Sequence, residues 1–145
     1  MPDDLSINIE GLQELIQKFD KLPNEVQQMM YKTMEESLRV AQEKTPGYPP
    51  KPSGSNYTRT GTLGKSLGQR GDKPTVYSIK GSGGNIEGRY GTDLSYAKYV
   101  IDPQRQAYMH KGWWWTMDVV KHMAEPGIKQ KWDKLIEIIK NKLGL

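Results

Sequence analysis

Leu5, Ile7 and Ile9 alternate with Ser6 and Asn8, a period of two that predicts a short, half-buried strand. From Leu12 the period lengthens. Leu12, Leu15, Ile16, Phe19 and Leu22 share one helical face, which predicts a first helix near residues 10–21 that Pro23 interrupts. Pro23 suits the first turn of a new helix, where an N–H would have no intrahelical acceptor. Val26, Met30, Met34, Leu38 and Ala41 then form an apolar stripe, so a second, longer helix is expected to run to about Glu43. Met29, Met30 and Met34 read as core filler rather than as a pliable binding groove.

The stretch Thr45-Pro-Gly-Tyr-Pro-Pro-Lys-Pro-Ser-Gly-Ser-Asn56 has four Pro, two Gly and almost nothing that can be buried. It predicts an extended loop or arm over about residues 46–58, stiffened by fixed φ angles. Two readings stand side by side: a connector between a helical half and a sheet half, and an arm lying on a neighbouring subunit.

Eleven of the fifteen Gly lie between Gly47 and Gly91, where turns and strands are expected. Thr75, Tyr77 and Ile79 alternate on one strand, Gly81-Ser-Gly-Gly-Asn85 turns, and Ile86, Gly88 and Tyr90 alternate on the return, a β-hairpin pattern. Tyr96, Ala97, Tyr99 and Val100 predict a short helix ended by Pro103. Trp113 to His122 reads as helical, with Pro126 as an interruption. A last helix places Ile128, Trp132, Leu135, Ile136, Ile139 and Leu143 on one stripe, with its lysines mostly off it. The order of elements predicts an α+β fold: a small curved antiparallel sheet packed by a long N-terminal helical segment and a C-terminal helix, with a long Pro/Gly-rich arm.

At 145 residues the chain is expected to form a single domain, residues 1–145. The absence of Cys removes disulfides and thiolate chemistry and fits a reducing cytoplasm. No basic-apolar leader opens the sequence and no run approaches the roughly 20 apolar residues of a membrane span, so a soluble chain without membrane contact is expected. The net charge of +4 is unevenly spread: residues 1–45 carry −4 and residues 46–80 carry +5. Such asymmetry can steer self-association or contact with a polyanion, against the plainer alternative of a solvated surface.

Catalytic chemistry finds little footing. The two histidines, His110 and His122, belong to no cluster with metal-ligand spacing, and Asp118 with His122 reads as an exposed helical pair rather than as an oriented base. No serine sits in a nucleophile elbow, and Gly81-Ser-Gly-Gly84 lacks the Gly-Lys-Ser/Thr that a phosphate loop needs. No catalytic, metal or cofactor site, and hence no enzyme, is expected. Trp113-Trp114-Trp115 is the most unusual feature. Adjacent residues on a helix point about 100° apart, so three indoles there cannot all enter one core; at least one is expected to be exposed or buried by a partner, with an interface role favoured over a partly exposed core helix. Stacking on single-stranded nucleic acid is disfavoured, because the bases nearest in sequence are only Lys111 and Lys121.

Arg59-Thr60-Gly61-Thr62-Leu63-Gly64-Lys65-Ser66-Leu67 resembles the Arg-Thr-Gly-x-Leu-x-x-Ser segment of the tail-component (tail-completion, head–tail joining) family of long-tailed bacteriophages and prophages. Gly11-Leu12-Gln13-Glu14-Leu15 and Tyr96-Ala97-Lys98-Tyr99-Val100 match that family's opening helix and its segment after the hairpin. The chain departs from the pattern after Val100, where Ile101-Asp102-Pro103-Gln104 stands in place of an acidic-Gly-Thr step. The resemblance implies a virion structural protein of the neck or tail that forms rings with itself and touches other neck or tail-tube proteins. It would assemble in the bacterial host cytoplasm and reside in the virion. Candidate subunit-interface or lumen residues are Lys51, Tyr57, Arg59, Lys65, Arg70, Lys73, Trp113, Trp114 and Trp115, the basic ones facing an acidic neighbour or touching DNA non-specifically in a lumen. The competing reading is a stand-alone nucleic-acid-binding module, motivated by a pI near 9.2.

Overall fold

The structure, a computed structural model, describes residues 3–9, 24–51, 53–54, 61–82, 85–142 and 144. In chain order the main elements are β1 (Asp3–Ile9), α1 (Asn24–Lys44), α2 (Thr62–Ser66), β2 (Val76–Ser82), β3 (Asn85–Thr92), α3 (Lys98–Ile101) and α4 (Met117–Lys142). Short 3-10 turns occupy Gln69–Gly71 and Tyr108–His110. The helix expected near residues 10–21 lies outside the described residues.

The strands form one antiparallel sheet in the order β1-β3-β2. Register places Leu5, Tyr90 and Tyr77 in one row across the sheet and Ile7, Gly88 and Ile79 in the next. This face packs on the helices, as the period-two pattern requires. The opposite face carries Ser6, Asn8, Ser78 and Lys80, with Arg89 paired to Asp4 and Glu87. The fold is therefore α+β, with one polar and one apolar sheet face.

Helix α1 crosses the sheet at Gly88. A Cβ there would come within 2.5 Å of Met34 Sδ, so the glycine lets the helix approach the middle of β3. Val26, Met30, Met34, Leu38 and Ala41 are buried on this side, and Met30 and Met34 are core residues. Helix α4 runs antiparallel to α1. At one end Lys142 pairs with Glu25 at 2.7 Å, and further along Lys131 faces Glu36 at 3.8 Å. These exposed pairs add little stability; the helices are held by the apolar seam between them.

Pro126 does not end a helix: α4 is continuous through it from Met117 to Lys142. The ring removes one backbone hydrogen bond and crowds the preceding turn, a cost of about 3 kcal/mol in an unsupported helix. Here Val120 and Ala124 before it, and Trp132, Leu135 and Ile139 after it, are all buried, so tertiary packing carries the helix across the break. Gly127 lies against Val40, where an added Cβ would sit 3.3 Å from Cγ1. The short helix α3 ends where the sequence indicates. Asp102, ahead of Pro103, adopts extended backbone with ψ 124°.

Among the described residues no helix is long and apolar enough to cross a membrane.

Candidate assembly surface

The single helical turn α2 is not evident from apolar spacing, yet it organises one end of the molecule. Gly61 caps it in a left-handed conformation, φ 78°, which a residue with a Cβ rarely adopts. Leu63 and Leu67 enter the core. Ser66 Oγ donates to Leu63 O at 2.7 Å and lies 2.7 Å from Thr92 Oγ1. Since the serine proton is engaged, Thr92 donates to Ser66 and accepts from the Leu94 amide at 3.2 Å. The buried pair thus ties α2 to the end of β3.

A second buried chain runs beside it. Thr45 Oγ1 lies 2.8 Å from Tyr90 OH, and Tyr90 OH donates to Leu67 O at 2.7 Å. Tyr90 is fully buried, and burial pushes its phenol up to about 12, a rise that the Thr45 hydrogen bond partly offsets. The phenol is a neutral donor at any physiological pH. At the sheet edge Tyr77 is also pushed up, first by burial and then by the nearby Glu35 carboxylate.

The arm does not extend away from the chain over residues 46–51. Trp113 Nε1 donates to Pro50 O at 2.8 Å and Trp115 Nε1 to Gly47 O at 3.0 Å. Gln69 Nε2 donates to Pro46 O at 2.9 Å, and the Gly64 amide donates to Tyr48 OH at 2.8 Å. Trp114 packs edge-on against Tyr48, with ring centroids 5.1 Å apart, and against His110 at 6.2 Å. This half of the arm is a strap over its own domain; residue 52 and residues 55–60 lie outside the described residues.

The tryptophans also correct the expectation of a helix beginning at Trp113. They occupy the turn before α4, which starts at Met117. Outside a helix, neighbouring side chains need not fan out by 100°, so all three indoles engage one strap.

The remaining candidate residues scatter. Lys51, Lys65 and Lys73 are exposed, on the strap, on α2 and after the Gln69–Gly71 turn. Arg70 lies within that turn, although its side chain, like Tyr57 and Arg59, falls outside the described residues. Asp118 engages the Thr116 hydroxyl at the start of α4. Among the described residues no group of three or more His, Cys, Asp or Glu gathers in a way that could hold a metal ion. An open groove of about 480 Å³ lies between the end of α1 and the Gly68–Gln69 turn, lined by Arg39, Gln42, Glu43, Thr45, Gly47, Gly68 and Gln69. Two of its amides already serve as ties, Gln42 to Gly68 O and Gln69 to Pro46 O.

What sequence reasoning misses is the exposed tip. Tyr108 is 91% and Met109 77% exposed, with Tyr99 at 50% beside them. The tip is held from beneath: the Ala107 amide donates to Tyr99 O at 2.8 Å, His110 Nδ1 lies 2.7 Å from the same oxygen, and Gln106 Nε2 donates to Val100 O at 2.7 Å. Helical spacing holds a clue. Val100 and Ile101 of α3 are buried together with Ala97 just before it, which leaves Tyr96 and Tyr99 off that face.

Gly64 shows how tightly the strap is seated. A Cβ there would lie 2.4 Å from Gln69 Oε1 and 3.2 Å from Tyr48 Cε1. Gly64→Ala is expected to displace both tethers, costing about 1–2 kcal/mol. Hydrogen exchange and limited proteolysis should show the strap near Tyr48 opening before the α1–α4 core; protection equal to the parent would refute this.

No protein-family model, curated protein or solved structure matches this chain.

Proposed function

We propose that this chain is a structural protein of the neck or tail of a long-tailed phage. It completes the tail or joins it to the head by ring-like self-assembly and contacts with neighbouring neck and tail-tube proteins. It assembles in the bacterial cytoplasm and is carried in the virion. The observation that carries the reading is that the described part of the tail-component-like segment serves a structural joint. Gly61 starts α2, Leu63 and Leu67 anchor it, and Ser66 fastens it to β3 through Thr92. The Tyr-Ala-x-Tyr-Val segment behaves alike, with Ala97 and Val100 buried. Residues of this kind preserve a shape for others to touch.

Light scattering over a concentration series, with negative-stain imaging of the same samples and of samples mixed with tail tubes, tests the proposal. Rings or defined oligomers, free or on tube ends, are expected. A chain that stays monomeric in solution and ignores the tubes overturns it; tight DNA binding by that monomer, lost steeply with salt, favours the stand-alone nucleic-acid-binding module suggested by the basic residues.

A further inference from the structure

We propose that the end of the molecule built from the strap, α3 and the Tyr108–His110 turn binds single-stranded nucleic acid, stacking unpaired bases on Tyr99 and Tyr108 and holding phosphates with Lys51, Lys98 and Lys111. This inference does not depend on ring formation. In sequence the aromatic segment has few bases beside it, but the fold adds Lys51 and Lys98 to Lys111. The Trp113 indole bonds to Pro50 O at 2.8 Å and so brings Lys51 against the segment. The Ala107 amide and His110 Nδ1 both reach Tyr99 O, drawing Tyr108 and Lys111 onto α3.

Lys98 Nζ stands 5.2 Å from the centroid of the Tyr99 ring, so a cation and an aromatic face share one spot, as phosphate and base share one nucleotide. Charge favours the same ligand. Asp102 is the single acid between Tyr96 and Trp113, and its carboxylate is bound by the Gln104 amide, the Arg105 amide and the Arg105 guanidinium. Lys98 and Lys111 therefore act with no free carboxylate in their own segment. Lysines around exposed rings are less suited to a protein partner, because interface cores exclude Lys. A duplex is also a poorer fit, since its bases are already stacked and offer no face to a tyrosine.

Fluorescence anisotropy of the full chain with a labelled oligothymidine, and with a duplex of equal length, tests the inference. The single strand is expected to bind more tightly, with a log-affinity slope against log salt of about −2, as three phosphate contacts at about 0.7 each give. Tyr99→Ala and Tyr108→Ala should each weaken it at least about fivefold while Tyr→Phe at either position binds as the parent does. Lys98→Gln and Lys111→Gln should each flatten the slope by about 0.7. Equal affinity for duplex and single strand overturns the inference, as do alanine variants that bind normally. If Tyr108→Ala and Met109→Ala abolish oligomers but leave oligothymidine binding intact, the tip is a protein interface and the inference fails. Because assembly is read by scattering and this site by anisotropy, either reading can fail alone.

Discussion

Trp132→Ala is expected to destabilise the chain by about 3–5 kcal/mol, the range for removing a large aromatic side chain from a core, and to leave little folded protein at physiological temperature. Trp132 is buried in the α1–α4 seam among α4 residues that include Leu135 and Ile139. Its indole is also a buried hydrogen-bond donor. Nε1 donates to Ser37 Oγ at 2.9 Å, while Ser37 donates to Thr33 O at 2.7 Å. The serine hydroxyl is thereby satisfied as donor and acceptor in a site with no water access. Trp132→Phe keeps much of the apolar surface but strips Ser37 of its donor, so about 2 kcal/mol should be lost. Adding Ser37→Ala to Trp132→Phe should cost less than the two changes summed, because the second removes the group that the first left unpaired. Urea denaturation of the four proteins gives the coupling directly; strict additivity would show that the indole N–H contributes nothing beyond packing.

The seam containing Trp132 is legible in the sequence because both helices write a long stripe. Five buried apolar α1 positions from Val26 to Ala41 and three from Trp132 to Ile139 repeat at helical spacing. The strands are legible for the same reason, with period two placing Leu5, Ile7, Ile86 and Tyr90 in the core. Pro126 misleads because a local rule about helix interruption omits the packing on either side of it. The Trp run misleads in the opposite direction: a helix there would bring a fan of directions that the turn before α4 does not impose. The α2 turn escapes notice since one turn has no period to read.

The strap and tip show a further limit of reading along the chain. Pro46, Gly47 and Pro50 offer carbonyl oxygens, and nothing nearby in sequence indicates that indoles more than sixty residues away will bind those of Gly47 and Pro50. Such ties depend on where α4 begins relative to the end of α1. The same placement brings Lys51 beside Trp113, so the chemical character of this end arises only after folding. The exposed tip likewise needs support from Gln106 and His110, polar residues whose partners are backbone atoms rather than a recognisable motif.

Tyr90→Phe is expected to cost about 2 kcal/mol at neutral pH, because Leu67 O loses its donor and Thr45 its buried partner. The cost should shrink in alkali. Tyr90 ionises at about 12 in the folded chain, against an ordinary value of 10.0. A raised folded value means that the tyrosine's contribution is complete below pH 10 and is lost as pH rises through 12, since the unfolded chain ionises first. The gap between the two values corresponds to about 3 kcal/mol, comparable with the whole penalty of the substitution. The parent should therefore lose stability steeply between about pH 10 and 12, while the phenylalanine variant, retaining the smaller slope due to Tyr77, loses less. Denaturant midpoints measured for both at about pH 8, 10, 11 and 12 should converge. A constant gap across that range would mean that the phenol ionises normally, and so is neither dry nor held by Thr45 and Leu67 in the way the fold requires.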